Sequence, residues 1–352
     1  MTKRLLLILW VFWVVALAVA CSPAEQDQER EVTLRLMTHD SFSVSEKVLG
    51  AFEEEQGITV ELLPAGDAGA ALNQAILSKD DPLADIFFGV DNTFLSRALA
   101  ADIFESYDSP ALDGIPDLFK LDPENRLLPV DYGDVCLNYD KAWFADRNLA
   151  VPTSLEELIQ PEYADLLVVE NPATSSPGLA FLLTTIGRFG NDDYLDYWAA
   201  LRANGVLVTD GWEDAYWGQF SAASDGDRPL VVSYASSPPA EVYFAEEELT
   251  EAPTASVLAN GSCFRQIEFM GILAGTKERA AAEKLIDFML DQQFQEGIPL
   301  QMFVFPVNPE AQLPELFVQY AEIPNETAMV DPAEIEANRE TWIEAWTEVV
   351  LR

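Results

Sequence analysis

Along the chain the spacing of apolar positions switches repeatedly between the strand period and the helix period. VTLRLM (32–37) alternates as a strand, the period-2 pattern of a sheet with one buried face. A helix is expected over roughly 45–56, where KVLGAFEEE follows helical spacing. ITVELLPAG predicts a second strand, ALNQAILSK a second helix and ADIFFGVD a third strand. The last is a continuous apolar run of the kind a parallel sheet buries on both faces. RLLPVDYGDVCLNYDK then reads as extended chain. A second block repeats the rhythm: LLVVE as strand, LAFLLTTIGRF and YLDYWAALRAN as helices, GVLVTD as strand, WEDAYWGQF as helix, PLVVSYA as strand, and PPAEVYFAEEE as the start of a helix. SCFRQIEFMGIL is long and extended, and the tail is mostly helical through KERAAAEKLIDFMLDQQFQEGI and PAEIEANRETWIEAWTEVVLR.

Strands and helices alternating in this order predict an α/β layer fold with right-handed parallel crossovers. The 352 residues exceed one typical domain, which favours two lobes. The long extended segments 127–140 and 262–273 are natural crossovers between them. The expected lobes are therefore 32–131 plus 266–352, and 132–265. Each would be a mostly parallel sheet flanked by helices, with a ligand cleft between the two.

The N-terminus adds a compartment. Lys3 and Arg4 precede the uncharged run LLLILWVFWVVALAVA, which ends at Cys21. That is the layout of a secretory signal over residues 1–20, and the run is short for a spanning helix, which needs ~20 residues. Ala18-Val19-Ala20-Cys21 resembles a bacterial lipobox, so Cys21 is expected to carry lipid and 21–31 to form a tether to a membrane. A plain signal peptide ending near a cysteine is the alternative.

Charge and cysteines narrow the partners. A formal net charge of −40 argues against nucleic acid and anionic membrane surfaces as partners, and otherwise reads as a solubility device with a long-range pull on cations. With Cys21 assigned, Cys136 and Cys263 remain. Outside the cytoplasm a leftover pair forms a disulfide or stays as two buried thiols, and the bridge is expected here. No metal is expected, since His39 is the one histidine and no Cys/His cluster exists.

Several segments could carry chemistry. Ser176-Pro177 and Ser237-Pro238 each follow a strand and read as an N-cap with proline at the first helical position. Such helix starts offer free N–H groups to an anion, or are ordinary caps. Trp212 and Tyr216 lie four apart on one helix face, a possible aromatic wall or simple packing, with Trp217 expected in the core. His39, Asp40 and Ser41 follow the first strand, where α/β sheets place ligand loops. A hydrolase built on the three is the alternative class, but adjacent residues rarely converge as a triad, and there is no G-x-S-x-G elbow. Asp67, Asp91 and Asp134 also follow expected strands, as ligand partners or as loop caps.

THDSF, LPAGD, the GVDN turn after ADIFF, PVDYG with NYDK, NPATSSPGL, TDGWEDAY, VVSYASSP, PVNP and RETWIEAWTEVV together resemble one family over nearly the whole mature chain. It is the thiamine-binding substrate-binding proteins of bacterial ABC importers, which have the two-lobed periplasmic-binding-protein fold. The resemblance implies a monomer without cofactor that captures thiamine or a thiamine phosphate and delivers it to a membrane permease, with no bond made or broken. It places ligand contacts on Asp67, Ala68, Ser175, Ser176, Trp212, Tyr234, Ala235, Ser236 and Ser237, the serines holding a phosphate or other polar groups. The family's stacking aromatics fall on His39, near Ala240 and on Phe303, so the ring-holding end is altered here. Tyr234 is followed by Ala235 rather than a second tyrosine, which counts against iron.

Overall fold

Parallel β-pairs of this chain sit at the two ends of one sheet, and antiparallel pairs join them in the middle. The computed structural model describes residues 32–352; the expected signal peptide, the tether and Cys21 lie outside the described residues. The strands are β1 (Val32–Thr38), β2 (Ile58–Pro64), β3 (Ile86–Asp91), β4 (Phe104–Glu105), β5 (Leu128–Asp140), β6 (Leu167–Glu170), β7 (Leu207–Thr209), β8 (Leu230–Tyr234), β9 (Thr254–Val257), β10 (Phe264–Leu273) and β11 (Phe305–Pro306). Their order is β2-β1-β3-β10-β5-β8-β6-β7, with β4 on β10 and β9 and β11 on β5.

β1 pairs parallel with β2 and β3; β6 pairs parallel with β7 and β8. β10 and β5 run antiparallel to their neighbours and to each other. The first half of β5 lies against β10, and its second half against β8 and β9. The two extended segments expected as crossovers are thus the strands that tie one end of the sheet to the other. Residues 32–352 form one compact unit.

The helices cover the sheet for a simple reason. β3 and β6 are buried along their whole lengths, and a parallel strand buried on both faces needs cover on both. The long helix Ser176–Ala203 supplies much of it through Leu179, Phe181, Leu182 and Leu183. Gly190 breaks this helix at φ 78° and ψ 170°, matching the two helices expected there. The C-terminal helix Pro332–Val350 packs on it, with Trp346 edge-on to Trp198 at 5.5 Å and Trp342 Nε1 donating to Asn191 Oδ1 at 2.9 Å.

Three differences from the expected elements matter. The segment from Trp212 is one short turn followed by a π-turn over Ala215–Gln219, not a regular helix. The helix at PPAEVYFAEEE ends at Tyr243, before the acidic run that follows. Strands β4, β9 and β11 are too short to leave a periodic signal, at two, four and two residues.

Candidate ligand-binding site

Strand ends and helix starts converge on one cleft. It holds about 660 Å³ of empty space, its mouth included, and is lined among others by His39, Asp40, Asp67, Trp212, Glu268 and Phe303. The loop after β1 brings His39 and Asp40, the loop after β2 brings Asp67 and Ala68, and the start of helix Ser176–Ala203 brings Ser176 and Pro177. Tyr234 and Ser237 come from the end of β8 and the turn after it, and Phe303 from the loop before β11.

The helix start that looked free for a ligand anion has a tenant from the same chain. Asp67 Oδ1 accepts the backbone N–H of Ser176 at 3.2 Å, and its Oδ2 accepts the N–H of Trp212 at 3.0 Å. Oδ1 also takes the N–H of Ala68 at 2.6 Å, capping the helix Ala68–Leu77. Gly211 makes room for this, since a Cβ there would lie 3.1 Å from Asp67 Oδ2. One carboxylate therefore ties the loop after β2 to two elements at the other end of the sheet. The Ser176 hydroxyl is also engaged, donating to Asp91 Oδ2 at 2.7 Å. The anion cradle of NPATSSPGL is real, and protein carboxylates fill it.

Below the cleft lies a chain of titratable groups. Asp131 and Glu268 face each other across β5 and β10, and Glu268 Oε1 is 3.5 Å from His39 Nε2. Burial pushes Asp131 well above its ordinary value, and the Glu268 charge pushes the same way. Burial also pushes Glu268 up, but the His39 charge and the hydrogen bonds from His39 and Asp131 outweigh it and hold this carboxylate low. Burial alone would lower His39; Glu268, Asp67 and Asp40 raise it instead. From β5 outward the set runs Asp131, Glu268 and then His39, which lines the cleft. Gly89 lets the imidazole approach: its φ is +108°, and a Cβ there would lie 2.6 Å from His39 Cδ2.

The structure divides the expected site residues. His39, Asp40, Asp67, Ala68, Ser176, Trp212, Tyr234, Ser237 and Phe303 line the cleft. Asp91 lies beneath it, fully buried, accepting from Thr93, Ser176 and Gln266. Asp134 is taken by Arg265 through bidentate contacts of 2.9 and 2.7 Å. Ser175 and Ser236 are fully buried behind the lining. Ala235 packs against Cys136 and Cys263, which form the expected disulfide.

The aromatic pair is corrected in one respect. Trp212 and Tyr216 do stack, with centroids 4.9 Å apart and planes 20° apart. Tyr216, however, is wholly buried and donates to Glu241, while Trp217, expected in the core, is 38% exposed and lines the cleft. Tyr216 faces inward, where Glu241 receives its hydroxyl. Trp212 Nε1 donates to Ser233 Oγ at 2.9 Å, which fixes its ring at the edge of the cleft. Residues the sequence did not single out include Glu268, Met302 and Val304. The only sequence signal for Glu268 was a lone acid inside the apolar strand SCFRQIEFMGIL.

The acids give the fold a pH signature. Burial raises Asp91 to about 6 and Glu241 to about 7, and raises Asp67 and Glu170 as well. A carboxyl raised in the folded state binds its proton earlier than the unfolded chain does, so stability is lost as pH climbs from about 4 through the folded values. Raised His39 acts in the same direction. Glu268, held low, contributes stability above its ordinary range that is lost as pH falls through its lowered value. Tm is therefore expected to be higher at pH 5.5 than at pH 8, by roughly 5 °C. Scanning calorimetry across that range checks this, and a Tm that rises toward pH 8 contradicts it.

A cleft of this kind, set where parallel strands end and bounded by loops from both ends of a sheet joined through two antiparallel strands, is built to hold a small solute. The chain belongs to the bacterial extracellular solute-binding proteins, whose sequence profile matches residues 81–326. More particularly, it is similar to the thiamine-binding periplasmic protein of Brucella suis, at 31% identity over 95% of this chain and 96% of that protein. Similarity to the thiamine-binding periplasmic protein of Escherichia coli is also 31%, over 91% of this chain and 94% of that one. Among solved structures, a periplasmic thiamin binding protein superposes with a TM-score of 0.80 at 28% identity, covering 91% of this chain and 96% of that chain.

Proposed function

We propose that this protein captures thiamine in the cleft and delivers it to an ABC permease, and that the unphosphorylated cation is its preferred form. The observation that carries this reading is the charge of the lining: Asp40, Asp67 and Glu268 face the cleft with His39, and among the described residues no lysine or arginine lines it. A phosphate here would meet three carboxylates against the single His39, at a helix start whose N–H of Ser176 already serves Asp67. A cationic thiazolium would meet carboxylates at short range and low dielectric, where attraction is strong. The similarity to thiamine-binding relatives supports the same ligand.

In this reading 32–131 plus 266–352 and 132–265 act as two lobes that close on the ligand, so that binding favours the closed state. His39, Asp40, Asp67, Ala68, Trp212, Tyr234, Ser237 and Phe303 make the contacts. In this reading no bond is made or broken, and His39 Nε2 lies 3.5 Å from Glu268 Oε1. Cys21 carries a lipid anchor after removal of residues 1–20, and the protein acts as a monomer.

Calorimetry with thiamine, its mono- and diphosphates and a pyrimidine fragment tests the ligand. Submicromolar affinity is expected for thiamine, with the diphosphate weaker by about tenfold, or ~1.4 kcal/mol. Submicromolar binding of none of them refutes the thiamine reading. A diphosphate that binds tighter than thiamine refutes the preference for the cation.

A further inference from the structure

Trp217 lines the cleft, and two further rings that the sequence did not mark as site residues, Tyr243 and Phe244, adjoin it through Trp217 and Phe303. Trp217, Tyr243 and Phe244 are 38%, 46% and 61% exposed. Leaving large apolar rings this open forgoes burial that the fold could otherwise use, and grouped exposed rings at a cleft mark a binding surface. They are grouped: Phe244 lies 6.4 Å from Trp217 and 5.1 Å from Tyr243, each pair edge-to-face. Both reach Phe303, at 5.6 and 6.0 Å.

The contacts join distant parts of the chain. Trp217 belongs to the π-turn after Trp212, Tyr243 and Phe244 to the end of the helix after β8, and Phe303 to the loop before β11. Phe303 holds φ +55°, a conformation that bulky residues adopt only where their surroundings impose it. Beneath the rings, Ala240 offers the cleft only a methyl group, while Asp40, Asp67 and Glu268 supply negative charge.

We propose that Trp217, Tyr243, Phe244 and Phe303 form an aromatic clasp that closes over the cleft and selects flat heteroaromatic cations. Trp217, which lines the cleft, is the ring wall; Tyr243 and Phe244 close from one side and Phe303 from the other. A flat cation gains twice, from ring stacking and cation–π attraction above and from carboxylates below. A compact aliphatic cation gains only the second. The proposal rests on the reading of the cleft as a cation site and adds the residues that choose among cations.

The test uses the mature protein with W217A, F244A and W217F, thiamine and N-methylnicotinamide as flat cations, and choline as the aliphatic one. W217A is expected to weaken thiamine about tenfold, F244A about threefold, and W217F to recover most of the loss. Thiamine should quench tryptophan fluorescence in the wild type, less so in W217F. The selectivity for thiamine over choline should shrink in W217A, a readout that mere destabilisation would not move. W217A and F244A both within twofold of wild type, with selectivity unchanged, overturn the clasp and leave thiamine capture standing. A wild type that ignores thiamine but binds N-methylnicotinamide, with the same loss in W217A, upholds the clasp and overturns the thiamine reading. A wild type that binds neither flat cation overturns both.

Discussion

Replacing Asp67 by alanine is expected to weaken thiamine binding by about two orders of magnitude. The carboxylate accepts three backbone N–H groups, from Ala68, Ser176 and Trp212. Those of Ser176 and Trp212 come from the part of the chain proposed as the second lobe, so in the closed arrangement Asp67 is the link from the first. Hydrogen bonds to a charged group contribute about 1.5–3 kcal/mol each. Removing the carboxylate leaves two amide donors unserved where the lobes meet, and the closed state loses roughly 3 kcal/mol relative to the open one. Affinity falls by the same factor when only the closed state binds, near a hundredfold. D67N should lose about tenfold, since an amide can accept from one of the two N–H groups but presents its own NH₂ to the other. Stability should change less than affinity in both variants, because the open state satisfies those amides with water. Calorimetric titration with parallel thermal melts decides: D67A within threefold of wild type would show that Asp67 neither latches the lobes nor meets the ligand.

Much of this was legible along the chain, and the reasons differ by element. β3 and β6 were visible because a buried parallel strand must be apolar throughout. The Ser-Ser-Pro junctions were visible because proline and serine at a helix start answer a local backbone need. The start itself moved by one residue, Ser175 being the N-cap and Ser176 the first helical residue. What fills that helix start was not visible: Asp67 lies 109 positions away in sequence, and no local pattern reports a contact made through the fold. The same limit applies to Asp134, whose partner Arg265 comes from the adjacent strand, and to the facing of Asp131 and Glu268 across β5 and β10.

Trp212 to Phe220 show where periodicity runs out. Four-residue spacing correctly paired Trp212 with Tyr216. With aromatics on two faces of a segment only two turns long, spacing cannot say which face goes inward. The decision falls to Glu241, which receives the Tyr216 hydroxyl and in turn accepts from Thr254 Oγ1 at 2.9 Å. The C-terminal helix shows the limit for domain bounds. Continuity with residues 266–331 assigned it to the first lobe, yet Trp346 packs on Trp198 and Arg202 Nη1 donates to Val349 O at 2.6 Å.

The disulfide carries the second large prediction. Cys136 sits in β5, and Cys263 immediately precedes β10. The bridge thus clamps the two strands that join both ends of the sheet, and its loop spans 127 residues. A loop of this length constrains the unfolded chain strongly, and removing such a bridge costs about 3–5 kcal/mol in the chain-entropy account. For a chain of this size that corresponds to a Tm lower by about 5–15 °C in C136S/C263S. One effect adds to the loss and another limits it. Both sulfurs are fully buried with Ala235 and Leu258, so serines there bring hydroxyls into an apolar pocket and add to the cost. The pairing of β5 with β10 runs over many residues, and the native register survives without the bridge. Affinity for thiamine should therefore stay within about threefold, since neither cysteine lines the cleft and the strands keep their places. Reduction of the wild type in denaturant, refolding under reductant and a melt give the same comparison without mutation, and a thiol titration confirms that the bridge has opened. An unchanged Tm with both thiols titrated would show that the antiparallel pairing of β5 and β10 alone holds the two ends of the sheet together.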